Sequence, residues 1–295
     1  MKRRVIITTA ALIIMLFAAL LSGCQKTSQE PSFTLDNYPK VDGSTVTIPL
    51  SEAVAARLTA LSPEEVRPHI LHNKTHQAYV NLINKEADLI FVTGPSEEEL
   101  ALAEEKGVGL ELIPIVSEAF VFLTHAHNPV QGLSLDEIRR IYTGDITNWS
   151  QVGGPDLPIV AYQRPVNSGS QTGFLDLVLQ GLTPMEAPTE RIVADMGGLI
   201  DAVAAYENGP HALGYSYYYF VVDMWGNENV KLLEINGVYP DRETIRTGDY
   251  PVTTAYYAVI RDDEPEGSPA RQVIAWILSE EGQRLAEETG YVKIK

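Results

Sequence analysis

Short apolar runs and amphipathic segments take turns along almost the whole of this 295-residue chain. From about Val46, "PLSEAVAARLTALSPEEVR" spaces Leu50, Val54, Leu58 and Leu61 at helical intervals behind Pro49, a residue suited to a first helical turn. "THQAYVNLINKEA" repeats that pattern and runs into "DLIFVTG", an apolar run stopped by Gly94. "SEEELALAEEKG" offers Ser96 as an N-cap, glutamates in the first turn and Gly107 as a stop. "LELIPIVSEAFVFLTH", "LPIVAYQR", "ALGYSYYYFVV" and "TTAYYAVI" read as strands. Between and after them, "SLDEIRRIYTG" (capped by Ser134), "GSQTGFLDLVLQ", "MGGLIDAVAAYENG" and "SPARQVIAWILSEEGQRLAEETG" read as helices. Such alternation with short links predicts an α/β protein with open, mostly parallel sheets flanked by helices. No period of 20–50 residues appears, which excludes a solenoid.

Length predicts two domains or lobes, at roughly 150 residues each. The charge balance is acidic, 22 Lys and Arg against 39 Asp and Glu. Without Met1 to Gly23, which holds three basic and no acidic residues, it becomes 19 − 39 = −20. That balance argues against nucleic acid and anionic membrane surfaces as partners. A small anion stays compatible, because a local site is governed by its own dipoles while surface charge is screened by salt.

Lys2, Arg3 and Arg4 precede an apolar run from Val5 to Leu21, the pattern of a secretory signal over residues 1–23. The stretch "LSGC" ends in Cys24, the sole cysteine, so an intramolecular disulfide is excluded. It resembles the lipobox of bacterial lipoproteins. That resemblance implies cleavage before Cys24, lipid on its thiol, and a chain held at the outer face of the cell membrane. Residues 24–35 are polar and aperiodic and read as a tether.

Three hydroxyl-bearing segments stand immediately before helices. They are Ser44-Thr45 before Pro49, Thr75 at the head of "THQAYVNLINKEA", and Ser168-Gly169-Ser170 before "QTGFLDLVLQ". A helix start presents N–H groups that lack internal partners, backed by the positive end of the helix dipole, and so favours an anion. Arg164 lies four residues ahead of the third, and Asp88 opens the apolar run that follows the second.

Together, "DGSTVTIPL", "ADLIFVTGPS", "NPVQGLSLDEIRRIYTGDITNWSQVGG" and "RPVNSGSQTGF" resemble the substrate-binding proteins of bacterial phosphate ABC importers, the Pst type. The likeness runs from about Gly43 to the C-terminus. It implies a type II periplasmic-binding-protein fold, with two lobes joined by two hinge crossings. Residues 36–122 with 255–295 would form one lobe and 123–254 the other. Inorganic phosphate would bind in the cleft of a monomer that delivers it to a membrane permease, with no cofactor or metal. Carried over by position, Thr45, Val46, Thr75, Asp88, Arg164, Ser168, Gly169 and Ser170 would hold the anion. Asp88 would be the filter: an ionised carboxylate only accepts hydrogen bonds, so it suits a protonated phosphate and repels sulfate. The chain departs from the family at "KTHQA", where a Ser-Gly-rich turn is usual, and at Gln171, where some members carry arginine.

Two rivals follow from the same residues. A sensor or scaffold lipoprotein could keep the fold with altered anion binding. A phosphate-ester hydrolase would need a nucleophile with its base or a metal pair, and Ser168 has no Gly-x-Ser-x-Gly elbow around it. Binding without turnover is therefore expected. His69, His72, His76, His125 and His127 read as solvent-facing residues rather than zinc ligands.

Overall fold

The computed structural model describes residues 32–205 and 209–294. The predicted leader, Cys24 and most of the tether lie outside the described residues. The strands are β1 (Val41–Gly43), β2 (Leu89–Val92), β3 (Leu110–His125), β4 (Gly132–Leu133), β5 (Val160–Ala161), β6 (Ala212–Tyr217), β7 (Val230–Leu232), β8 (Glu234–Ile235) and β9 (Thr253–Arg261). The α-helices are α1 (Ile48–Thr59), α2 (Pro63–Val66), α3 (Lys74–Ile83), α4 (Glu97–Lys106), α5 (Leu135–Thr143), α6 (Gly169–Gly173), α7 (Met196–Ala204), α8 (Arg242–Thr247), α9 (Pro269–Ile277) and α10 (Glu280–Glu288).

Local chemistry sets several of these boundaries. Ser96 and Ser134 each accept a hydrogen bond from the backbone three residues on, while the Glu99 and Glu137 carboxylates accept one from the cap residue's own N–H. Gly107 and Gly144 then end those helices in the left-handed conformation. The segment from Gly169 starts as an α-helix behind Ser168 but widens into a π-helix over Phe174–Leu179.

The main sheet runs β1-β2-β9-β3-β6-β5, with β7 also paired to β3. The long strand β3 joins its two halves. Residues 110–119 pair with β9, and residues 120–125 pair with β6 and β7. The α/β class stands, but parallel pairing is less dominant than the alternation implied. β1–β2 and β5–β6 are parallel, whereas β9 enters antiparallel between β2 and β3, and β6 and β7 run antiparallel to β3. The cause is β9, which returns from the far end of the chain and inserts between strands that are closer in sequence. Aromatic packing fills the second half: Phe174 stacks on Tyr215 at 4.5 Å, with Phe120 and Tyr142 against them.

Candidate anion site

A cavity of about 670 Å³ opens where β1 and β2 end. The 44–46 turn, the 73–77 turn, Thr93, the 164–170 loop and the 194–197 turn wall it. Tyr217, Phe220, Met224 and Trp225 close one side.

The first wall follows from Gly43. A β-carbon there would lie 2.9 Å from the Phe91 carbonyl oxygen, so only glycine lets β1 turn this close to β2. Thr47 Oγ1 donates its one proton to the Phe91 carbonyl at 2.7 Å, with the Ser44 carbonyl 3.0 Å away as the alternative acceptor, pinning the turn to the sheet. Thr45 and Val46 thus open a helical segment with N–H groups that have no carbonyl ahead of them. Both line the cavity.

The second wall is the start of α3, which has no side-chain cap. Asn73, at the cap position, spends its side chain on the fully buried Asp42, donating at 2.9 Å, and its backbone N–H donates to the same carboxylate at 2.9 Å. Asn81 Nδ2 donates to it as well, at 2.6 Å. Asp42 therefore organises the turn from beneath while the helix start stays open to the cavity. Lys74 adopts a left-handed φ of 70°, a conformation uncommon for a side-chain-bearing residue. Thr75 is buried, and Lys74, Thr75 and His76 all line the cavity. His76 Nδ1 lies 3.1 Å from a carboxylate oxygen of Glu99, whose pKa burial pushes upward.

Arg164 dominates the third wall. It is 8% exposed, and its Nε and Nη2 donate to the carbonyls of Val193 and Ala194 at 2.7 and 3.2 Å. Nη1 turns toward Ser170 Oγ at 3.5 Å. Burial lowers the arginine's pKa, yet an arginine stays charged at any ordinary pH. Asp195 acts on it electrostatically, but no carboxylate among the described residues comes within the 4.0 Å of an ion pair. The Arg164 backbone N–H is held by Tyr215 Oη at 3.0 Å and by Gln171 Oε1 at 3.1 Å. Gln171 thus fixes the arginine's main chain and lies outside the cavity lining. Ser168 caps α6 by accepting from the Gln171 N–H at 3.2 Å, and Ser168, Gly169 and Ser170 line the cavity beside Arg164.

Asp88 does not join them. It precedes β2, with its side chain 40% exposed, accepting from the Lys40 N–H at 2.9 Å and lying 3.9 Å from Arg261. The expectation that Asp88 faces an anion is corrected by strand direction. The cavity is at the other end of β2, five residues on and so about 16 Å away in extended chain. The residue at that end is Thr93, which is 3% exposed and lines the cavity. Its carbonyl accepts from Tyr79 Oη of α3 at 2.9 Å. The only sequence signal for Thr93 was its position at the C-terminal end of an apolar strand, where α/β sheets bind ligands.

Asn73, Asp195, Met196 and the Phe220–Trp225 side also escaped sequence reading. The last comes from a π-helix (Phe220–Trp225) that follows β6, and a π-turn has no periodicity to betray it. His125 is not solvent-facing. It is 4% exposed, and its Nδ1 accepts from the His127 N–H at 3.1 Å. Among the described residues no cluster of three or more His, Cys, Asp or Glu is placed to hold a metal ion. No helix among them is long and apolar enough to cross a membrane. The cavity offers one buried cation, a lysine, three hydroxyl-bearing turns and two open helix starts, a set that can hold an oxyanion.

A family model described as a PBP superfamily domain matches residues 28–281. The phosphate-binding protein PstS of Bacillus subtilis is 32% identical over 197 residues, a match spanning 65% of this chain and 62% of that protein. The phosphate-binding protein PstS of Borreliella burgdorferi is 26% identical over 298 residues, 96% of this chain and 98% of the relative. A solved structure from Clostridium perfringens, described as a phosphate ABC transporter substrate-binding protein with bound phosphate, aligns with a TM-score of 0.68. It is 26% identical and covers 88% of this chain and all of that one.

Proposed function

The chain belongs to the PBP superfamily, and on that premise we propose that it is an extracytoplasmic solute-binding protein that captures inorganic phosphate for an ABC importer. The observation that carries this reading is Arg164, a buried guanidinium with hydroxyls and helix starts around it and no carboxylate among the described residues within ion-pair distance. A buried charge left unpaired is costly, and an oxyanion in the cavity would complete it. The PstS relatives and the phosphate-bound structure support phosphate as that anion.

In the same reading, β3 and β9 are the crossings between a lobe of 36–122 with 255–295 and a lobe of 123–254. The cavity is the cleft that closes on the ligand, excluding water and strengthening each polar contact. Thr45, Val46, Thr75, Ser168, Gly169 and Ser170 supply neutral donors, and Arg164 supplies the charge. The monomer is tethered by lipid at Cys24 and releases phosphate to the permease without turning it over.

Titration calorimetry of the purified chain with inorganic phosphate tests this. Saturable binding is expected, with Arg164→Ala weakening it by about 10- to 100-fold through the lost charge-assisted bonds, at unchanged circular dichroism. Equal affinity in the variant, or release of inorganic phosphate from added phosphate esters, would sink the assignment.

A further inference from the structure

Among the described residues that line the cavity, Thr93 alone carries a buried side-chain oxygen without a well-formed hydrogen bond. Its hydroxyl makes no hydrogen bond of good geometry, although the residue is 3% exposed and lines the cavity, with the Tyr217 phenol as a near polar neighbour. That phenol gives its own proton to the Gly169 carbonyl, at 3.1 Å, and so has none to spend on Thr93. The Thr93 hydroxyl lies against the start of α6. A β-carbon on Gly169 would lie 2.6 Å from Thr93 Oγ1 and 2.5 Å from Thr75 Oγ1, so both hydroxyls converge on the first turn of α6.

The carboxylates around the cup are all engaged elsewhere. Asp195 is the one carboxylate among the described lining residues; it is exposed and caps α7, accepting from the Gly198 N–H at 2.7 Å. Glu98 is hydrogen-bonded by Asn167, and Glu99 is held by His76 and by the Ser96 N–H. Asp88 lies at the wrong end of β2. The inner wall of the cup therefore presents a hydroxyl where a proton-accepting carboxylate would be needed to demand a protonated ligand.

We propose that Thr93 binds the ligand directly and that, with a hydroxyl in this place, the site takes fully deprotonated tetrahedral oxyanions such as sulfate as well as phosphate. This rests on the anion-binding reading above. An ionised carboxylate can only accept, so an oxygen facing it must carry a proton; a hydroxyl donates or accepts as the ligand requires. Sulfate brings no proton at neutral pH and meets no repulsion from Thr93. Lys74, at the same cavity, adds a second cation that favours a dianion without asking for its proton.

The experiment is calorimetry of the purified chain with sodium sulfate and with sodium phosphate, each alone, at pH 7.5. Sulfate affinity within about tenfold of phosphate is expected. Thr93→Val should weaken both anions about three- to tenfold, the value of one hydrogen bond. Thr93→Asp should restore discrimination, lowering sulfate affinity at least 100-fold more than phosphate affinity. Phosphate binding with sulfate more than 1000-fold weaker in the native chain overturns this inference and leaves the phosphate reading intact. Equal affinities in native and Thr93→Val chains remove Thr93 from the site. Binding of neither anion overturns both readings together.

Discussion

Gly169 sits against Thr75 with no space for a side chain: a β-carbon added to the glycine would lie 2.5 Å from the threonine hydroxyl. The two residues open different helices, α6 and α3, so their contact is where the second and third walls of the cup meet. The glycine backbone is not left-handed here, so alanine is conformationally acceptable and favours a helix. Gly169→Ala should therefore leave the thermal unfolding transition within about 1 kcal/mol of the parent while wedging the two helix starts apart. Phosphate affinity should drop at least tenfold, because a displacement of about 1 Å spoils hydrogen bonds that need 2.7–3.2 Å. Calorimetry beside a melting curve checks it; undiminished affinity would mean that these two helix starts do not share one ligand.

Asp88→Asn makes the opposite prediction. Its carboxylate serves the Lys40 backbone and a distant Arg261 on the far side of β2 from the cavity. Arg261 also reaches Glu264 at 3.3 Å and donates to the Ala87 carbonyl at 2.7 Å, so it stays neutralised without Asp88. The substitution should cost less than about 1 kcal/mol of stability, as expected of a half-exposed pair. Phosphate and sulfate affinities should both stay within twofold of the parent. A change in discrimination between the two anions would return Asp88 to the ligand.

The contrast between Asp88 and Thr93 marks where sequence reading stops. Hydroxyl, glycine and proline patterns located the turns at 44–46, 75 and 168–170 because capping is local chemistry, settled by neighbours three or four residues away. The caps Ser96 and Ser134 were legible for the same reason. Which end of β2 opens on the cavity depends instead on β1 lying parallel beside it and on β9 pairing antiparallel to its other edge. Those partners are 48 and about 170 residues away in sequence, and no pattern within the strand encodes them. The buried Asp42 was equally silent, since its role depends on Asn73 and Asn81 folding over it. The segments named by the resemblance to phosphate-binding proteins line the cavity, except for Asp88, which lies at the other end of its strand.

Glu118 sets a pH dependence of stability separate from the site. It lies in β3 at 2% exposure, just before the strand passes from its β9 pairing to its β6 pairing. Its carboxylate accepts from the Ala119 N–H at 2.8 Å and from the Tyr219 N–H at 3.3 Å, with Tyr217, Tyr256 and Tyr291 near it. Burial outweighs those bonds and raises its pKa from 4.5 to about 7. The folded chain thus holds the proton more tightly than the unfolded chain does. This stabilisation is full below about pH 4.5 and is lost as the pH rises through about 7. The loss is on the order of 3 kcal/mol between pH 5 and pH 8. Glu118→Gln keeps the acceptor and removes the titration, so its stability should decline less than the parent's across that window. Urea unfolding of both chains at pH 5, 6.5 and 8 measures the difference. Parallel pH profiles would show that this carboxyl titrates as an ordinary exposed one.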